Sequence, residues 1–168
     1  MPTPAEIYEL YLLNNPDGER IIEVVSISHP NMTQTYHLTP TPEPVSVTLE
    51  TGETIIPEPK NMTIQKSSSK DDLDEQFSFN FSDPEGLIAA EAKLIPLDTD
   101  DDVIIQFRTF MASDTSAPAE GPFDLIGVSM TPTTEATVTI RAQSPSLVVN
   151  RTGELYTYER FPMLRGFL

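Results

Sequence analysis

Sixteen of the 168 residues are proline, spread from Pro2 to Pro162. Proline locks φ and donates no backbone hydrogen bond. It therefore sits in the first turn of a helix, at strand ends and in turns, and not inside helices or central strands. The segments between these prolines are short, and most read as β. Residues 21–28 are rich in β-branched side chains and stop at His29-Pro30. Residues 33–39, 45–49, 54–56 and 62–64 supply further short strands, and Glu50-Thr51-Gly52-Glu53 forms a hairpin turn. Phe77-Ser78-Phe79-Asn80-Phe81 puts three Phe on one face and Ser and Asn on the other. Residues 103–111 form a long apolar strand, and 123–130 and 136–142 form a hairpin across 131–135.

Two stretches read as helix. Thr3 caps, Pro4 suits the first helical position and Glu6 completes a capping box; Asn14 to Gly18 ends the helix in a turn. Asp83-Pro84-Glu85 repeats this start chemistry, Leu87 to Leu94 supplies good helix formers, and Pro96 closes the run. About eight strands, two short helices and no βαβ alternation predict one mainly β domain over residues 1–168. The expected architecture is an antiparallel β-sandwich or open barrel, with a helix within 1–15 and an extended segment over 145–168.

Leu, Ile, Val and Phe make up 44 of the 168 residues. That exceeds the share of about 20% below which chains stay disordered. The surface is acidic: 26 Asp and Glu against 10 Lys and Arg leave a net charge of −16. Duplex affinity comes largely from cations at phosphates, so specific nucleic-acid binding is not expected, and anionic membranes are disfavoured. The charge has a geography. Residues 1–120 hold 22 acids and 6 bases, whereas 121–168 hold four of each. The absence of cysteine excludes disulfides and thiolate chemistry. Met1 to Glu6 lacks the features of a signal peptide, and no apolar run is long enough to insert in a membrane.

Candidate sites are few. Asp98-Thr99-Asp100-Asp101-Asp102 is the densest carboxylate cluster. As a calcium loop it needs Gly at its sixth position and Glu at its twelfth, where Val103 and Thr109 stand. It reads as a solvated turn, and so does Asp71-Asp72-Leu73-Asp74-Glu75. His29 and His37 lie near strand ends with no nucleophile motif, which favours hydrogen-bonding roles. No phosphate loop, dinucleotide fingerprint or serine-hydrolase motif occurs, so neither an enzyme nor a cofactor is expected. The last thirteen residues differ: Tyr156, Tyr158, Phe161, Met163, Leu164 and Phe167 crowd together, with Arg160 and Arg165 between them. This is the composition of an interface anchor. The segment either docks on a neighbouring subunit or folds back over its own core.

Ser26-Ile27-Ser28-His29-Pro30, following the N-terminal helix and Pro16-Asp17-Gly18, is one landmark. Tyr156-Thr157-Tyr158-Glu159-Arg160-Phe161-Pro162-Met163-Leu164 is the other, with Met163 standing where Gly is usual. Both resemble a family of proteins from long-tailed, non-contractile bacteriophages, the minor tail or distal tail proteins. The resemblance implies a virion structural protein at the tail tip, made in the host bacterial cytoplasm. It implies a fold akin to tail-tube subunits, a sixfold homo-oligomeric ring, and tail-tube and hub proteins as neighbours. In such a ring Asp71, Asp72, Asp74, Glu75, Asp98, Asp100, Asp101 and Asp102 would face the DNA channel and repel phosphates. The other reading is a carbohydrate- or receptor-binding β module, with Tyr36 or Tyr156 beside carboxylates. Deleting residues 156–168 is expected to leave a folded monomer that cannot assemble. Light scattering checks this, and an unchanged oligomer rules out the tail as anchor.

Overall fold

In the computed structural model, which describes residues 3–14, 18–66, 76–96, 99, 101–133 and 136–145, the first capping box closes as its spacing predicts. The Thr3 N–H donates to Glu6 Oε2 at 2.8 Å, and the Glu6 N–H donates to Thr3 Oγ1 at 3.4 Å. Helix α1 then runs Pro4–Asn14. Strands β1 (Ile21–Ser28), β2 (Tyr36–Thr39), β3 (Val47–Thr48), β4 (Thr54–Ile55), β5 (Glu58–Pro59), β6 (Met62–Lys66) and β7 (Gln76–Ser82) follow. Helix α2 (Leu87–Ala92) precedes β8 (Ile104–Met111), β9 (Glu120–Thr133) and β10 (Thr137–Gln143).

Eight strands form one sheet in the order β5-β2-β1-β8-β9-β10-β7-β6, and β3 pairs with β4 as a separate hairpin. The two outermost strands, β5 and β6, are consecutive in the chain, with only Lys60 and Asn61 between them. At roughly 3.3–3.6 Å per residue, that link cannot span a flat eight-stranded sheet. The sheet therefore curls until its edges meet. Both link residues bond across the seam: the Lys60 N–H donates to the Thr39 carbonyl at 2.9 Å, and the Asn61 carbonyl accepts from the Ser82 N–H at 3.0 Å. The result is an open barrel, mainly β as expected. The pairing is mixed, not wholly antiparallel, because β5 runs parallel to β2, with Leu38 opposite Glu58. A strand at residues 58–59 was not anticipated, since Pro57 and Pro59 argued for a turn.

Inside the barrel, alternate residues from seven strands meet in one cluster. It includes Val25, Ile27, Leu38, Phe79, Phe81, Ile105, Phe107, Leu125 and Ile140. The Phe77, Phe79 and Phe81 face is core, 5%, 1% and 1% exposed. A smaller cluster forms on the outside of β1 and β8, where Val47 and Leu49 of the hairpin cover Ile22, Val24 and Phe110.

Prolines 122 and 132 lie within β9, against the simple expectation that proline ends strands. Their positions explain it. The register of β8 against β9 shifts between Phe107 and Thr109, and Pro122 sits in that bulge beside Gly121. Gly121 has φ +93°, and a Cβ there would lie 2.7 Å from the Phe107 carbonyl oxygen, so only glycine fits. Pro132 lies beyond the reach of β8, where β9 pairs with β10 alone and one edge needs no ladder donor.

The helices take opposite ends of the barrel. Helix α1 packs on β8, and its Tyr8 phenol bonds the Glu120 carboxylate across from Thr109. Helix α2 lies at the other end, where Glu91 accepts from the Thr33 N–H and Oγ1 at 2.9 and 2.6 Å. Its N-terminus is held by buried Asp83, whose two oxygens accept from the Leu87 and Ala89 N–H groups at 3.1 Å each. The residue expected to start this helix thus does so, but from four residues upstream, with left-handed Gly86 between. Substituting Phe79→Ala is expected to lower unfolding free energy by about 3–5 kcal/mol, the range for emptying a buried Phe site. Urea denaturation measures it, and a loss below about 1 kcal/mol would mean that the barrel interior is not the main core.

Candidate functional site

The apolar run of β8 contains one charge, Arg108, which is 2% exposed. A buried guanidinium persists only when paired and hydrogen-bonded. Here Nε and Nη2 reach Glu50 Oε2 and Oε1 at 2.8 and 2.6 Å, a bidentate fork. Nη2 also donates to Gln106 Oε1 at 2.8 Å, and Nη1 to Ser26 Oγ at 3.0 Å. Ser26 Oγ lies 2.8 Å from His37 Nδ1, and Gln106 Nε2 donates to Asp124 Oδ1 at 2.8 Å. Since Arg108 can only donate, the Ser26 hydroxyl proton goes to His37 Nδ1, and the neutral imidazole carries its hydrogen on Nε2.

The register builds this network. Ser26 faces Gln106 on β8 and His37 on β2, and Gln106 faces Asp124 on β9. One outward row of side chains thus crosses four strands. The hairpin β3–β4 supplies Glu50 from just beyond β3 and lies over the row. Between hairpin and barrel is a polar cleft of about 590 Å³, lined by Thr35, His37, Glu50, Glu53, Gln106 and Arg108. The arrangement neutralises a buried cation and clamps the hairpin to the barrel wall. Its serine oxygen is buried and committed on both sides, which does not suit a nucleophile.

His37 is half-buried. That burial, and then the nearby Arg108 charge, lower its pKa from the ordinary 6.5, with Glu53 opposing. The hydrogen bonds from Arg108 hold the Glu50 carboxyl below its ordinary 4.5, against a smaller effect of burial. His29 plays the hydrogen-bonding role expected of it. The Asn31 N–H donates to Nδ1 at 3.0 Å, so Nε2 carries the proton and donates to the Asp101 carbonyl at 3.2 Å.

Tyr156, Tyr158, Arg160, Phe161, Met163, Leu164, Arg165 and Phe167 lie outside the described residues, as do Asp71, Asp72, Asp74, Glu75, Asp98 and Asp100. Asp101 and Asp102 are exposed and border a groove of about 470 Å³ lined by Ile95, Val103, Val128 and Met130. Among the described residues, no cluster of three or more His, Asp or Glu is placed to hold a metal ion. Nor is any helix there long and apolar enough to cross a membrane. Tyr36, suggested as a sugar platform, packs against the inner core and bonds Glu91, on the opposite face of β2 from the cleft. Sequence reasoning missed Arg108. The signal was present: a lone cation in a strand otherwise apolar enough to be buried on both faces.

No family model matches the chain, and no curated protein matches it.

Both lowered pKa values make acid destabilising. For His37 the unfolded chain takes up a proton near pH 6.5 while the folded one resists, so stability falls as pH drops below 6.5. Glu50 contributes above pH 4.5, and that contribution is lost as pH falls through its lower folded value. Substituting His37→Gln is expected to flatten the upper stage and leave the lower one. Melting temperature scanned downward from neutral pH reads both; an identical profile for the variant would show that His37 does not titrate with folding.

Proposed function

We propose that the protein is a structural subunit of a bacteriophage tail tip. It assembles into a ring between the tail tube and the central hub and lines the path of the DNA. The reading starts from the two sequence landmarks and gains support from one structural observation, the state of α1. Of its eleven residues only Glu6, Glu9 and Asn14 are strongly polar, yet none is buried. Pro4, Ile7, Tyr8 and Tyr11 are partly covered, while Leu10, Leu12 and Leu13 are 51%, 63% and 80% exposed. A helix that is apolar on nearly every side is ordinarily a buried one. A subunit whose surface is completed by its neighbours accounts for this; a monomeric enzyme does not.

The acidic body fits the same role. Carboxylates at 71–75 and 98–102 facing a channel repel phosphates and leave the DNA free to slide. The tail residues 156–168 then contact adjoining tail proteins. Two measurements test the reading. Mass spectrometry of purified virions is expected to find the chain among the tail proteins, and light scattering of the isolated chain to find a discrete closed oligomer. Absence from the particle, or a strict monomer at all concentrations and salt levels, overturns it.

A further inference from the structure

The exposed leucines of α1 lie at one end of the barrel, and an apolar groove lies at the other. Strand β8 fixes the two ends, since Ile21 pairs with Met111 at the α1 end and Ser28 with Ile104 at the α2 end. The groove runs between the segment following α2 and the second half of β9, with Ile95, Val103, Val128 and Met130 as its walls. Beyond Ile126, β9 has no strand partner on its groove side among the described residues; only the Gly127 N–H is bonded there, to the Val103 carbonyl at 2.8 Å. Val128 is 59% exposed in this wall. About 470 Å³ is within the usual size of a binding cleft and admits side chains from one helix face.

We propose that α1 of one copy docks in this groove of the next copy, with Leu10, Leu12 and Leu13 as the inserted side chains. This rests on the ring reading and names its interface. A convex apolar helix and a concave apolar groove on opposite ends of one molecule make each copy complementary to the next, so no other partner is required. Such a head-to-tail contact closes into a ring when its rotation divides a full turn. The binding mode is helix-in-groove.

The charges at the rim sharpen the proposal. Glu6 and Glu9 on the helix meet Asp101 and Asp102 at the groove, and both copies carry a net −16. The contact is therefore apolar at its centre and repulsive at its edge. Assembly strengthens as salt screens the repulsion, the reverse of what an ion-paired interface would show.

The test uses the full-length chain and two surface variants. L12E with L13E disables the helix, and V128E disables the groove; all three positions are exposed, and circular dichroism confirms that each variant folds. Light scattering with rising sodium chloride is expected to show the wild type assembling and each variant staying monomeric. An equimolar mixture of the two variants retains one good helix and one good groove. It is expected to stop at dimers, the signature of a head-to-tail contact. If the wild type assembles but L12E/L13E assembles equally well, the α1 contact is wrong while the ring reading survives. If V128E alone assembles normally, as a groove already covered by residues 146–168 of the same chain predicts, the proposal is likewise overturned. A wild type monomeric at every salt level removes the ring reading itself.

Discussion

The two-residue link between β5 and β6 is the constraint on which the rest of the structure depends. Because Lys60 and Asn61 join the outermost strands, the sheet has to curl, and curling creates an inside and an outside. The inside takes Phe79, Phe81, Phe107 and Ile140 together with Ile88 of α2. The outside of β1 and β8 then needs its own cover, because Ile22, Val24 and Phe110 face outward on the same strands. The hairpin β3–β4 supplies that cover. A flat sheet with the same strands would bring neither pair of faces together.

Arg108 shows what the outer layer must solve. The hairpin dries a patch of barrel wall that contains a guanidinium, and the desolvated charge is balanced by Glu50 from the hairpin itself. Covering and neutralising are therefore one event. Apolar contacts alone would hold the hairpin to the wall but would not set its position along it. The fork between Glu50 and Arg108 does, since two parallel hydrogen bonds fix both distance and orientation. The β9 bulge at Gly121 lies directly across from Arg108 and keeps the neighbouring strand in register around it.

Local chemistry was legible where one residue type at one spacing has one physical outcome. The Thr3–Glu6 box, the turn at Glu50 to Glu53 and the alternation of Phe77, Phe79 and Phe81 all appear where the spacing puts them. Asp83 was recognised as a helix starter, although the helix begins at Leu87 because its carboxylate reaches past Gly86. Strand β5 and the continuation of β9 through Pro132 were not legible. Whether a proline can sit in a strand depends on whether that edge has a neighbour, and neighbours are not a local property.

The sequence by itself determined a mainly β domain with two short helices, an acidic surface, and the absence of thiol chemistry, because propensity, alternation and side-chain inventory are properties of short windows. Only the tertiary structure decided that the sheet closes as a barrel, that Arg108 joins Ser26, His37, Glu50 and Gln106, and that α1 and the apolar groove lie at opposite ends. Each of these depends on residues tens of positions apart meeting in space. Burial, which turns an ordinary arginine into an obligate partner and an ordinary helix into an exposed apolar face, exists only once the chain has folded.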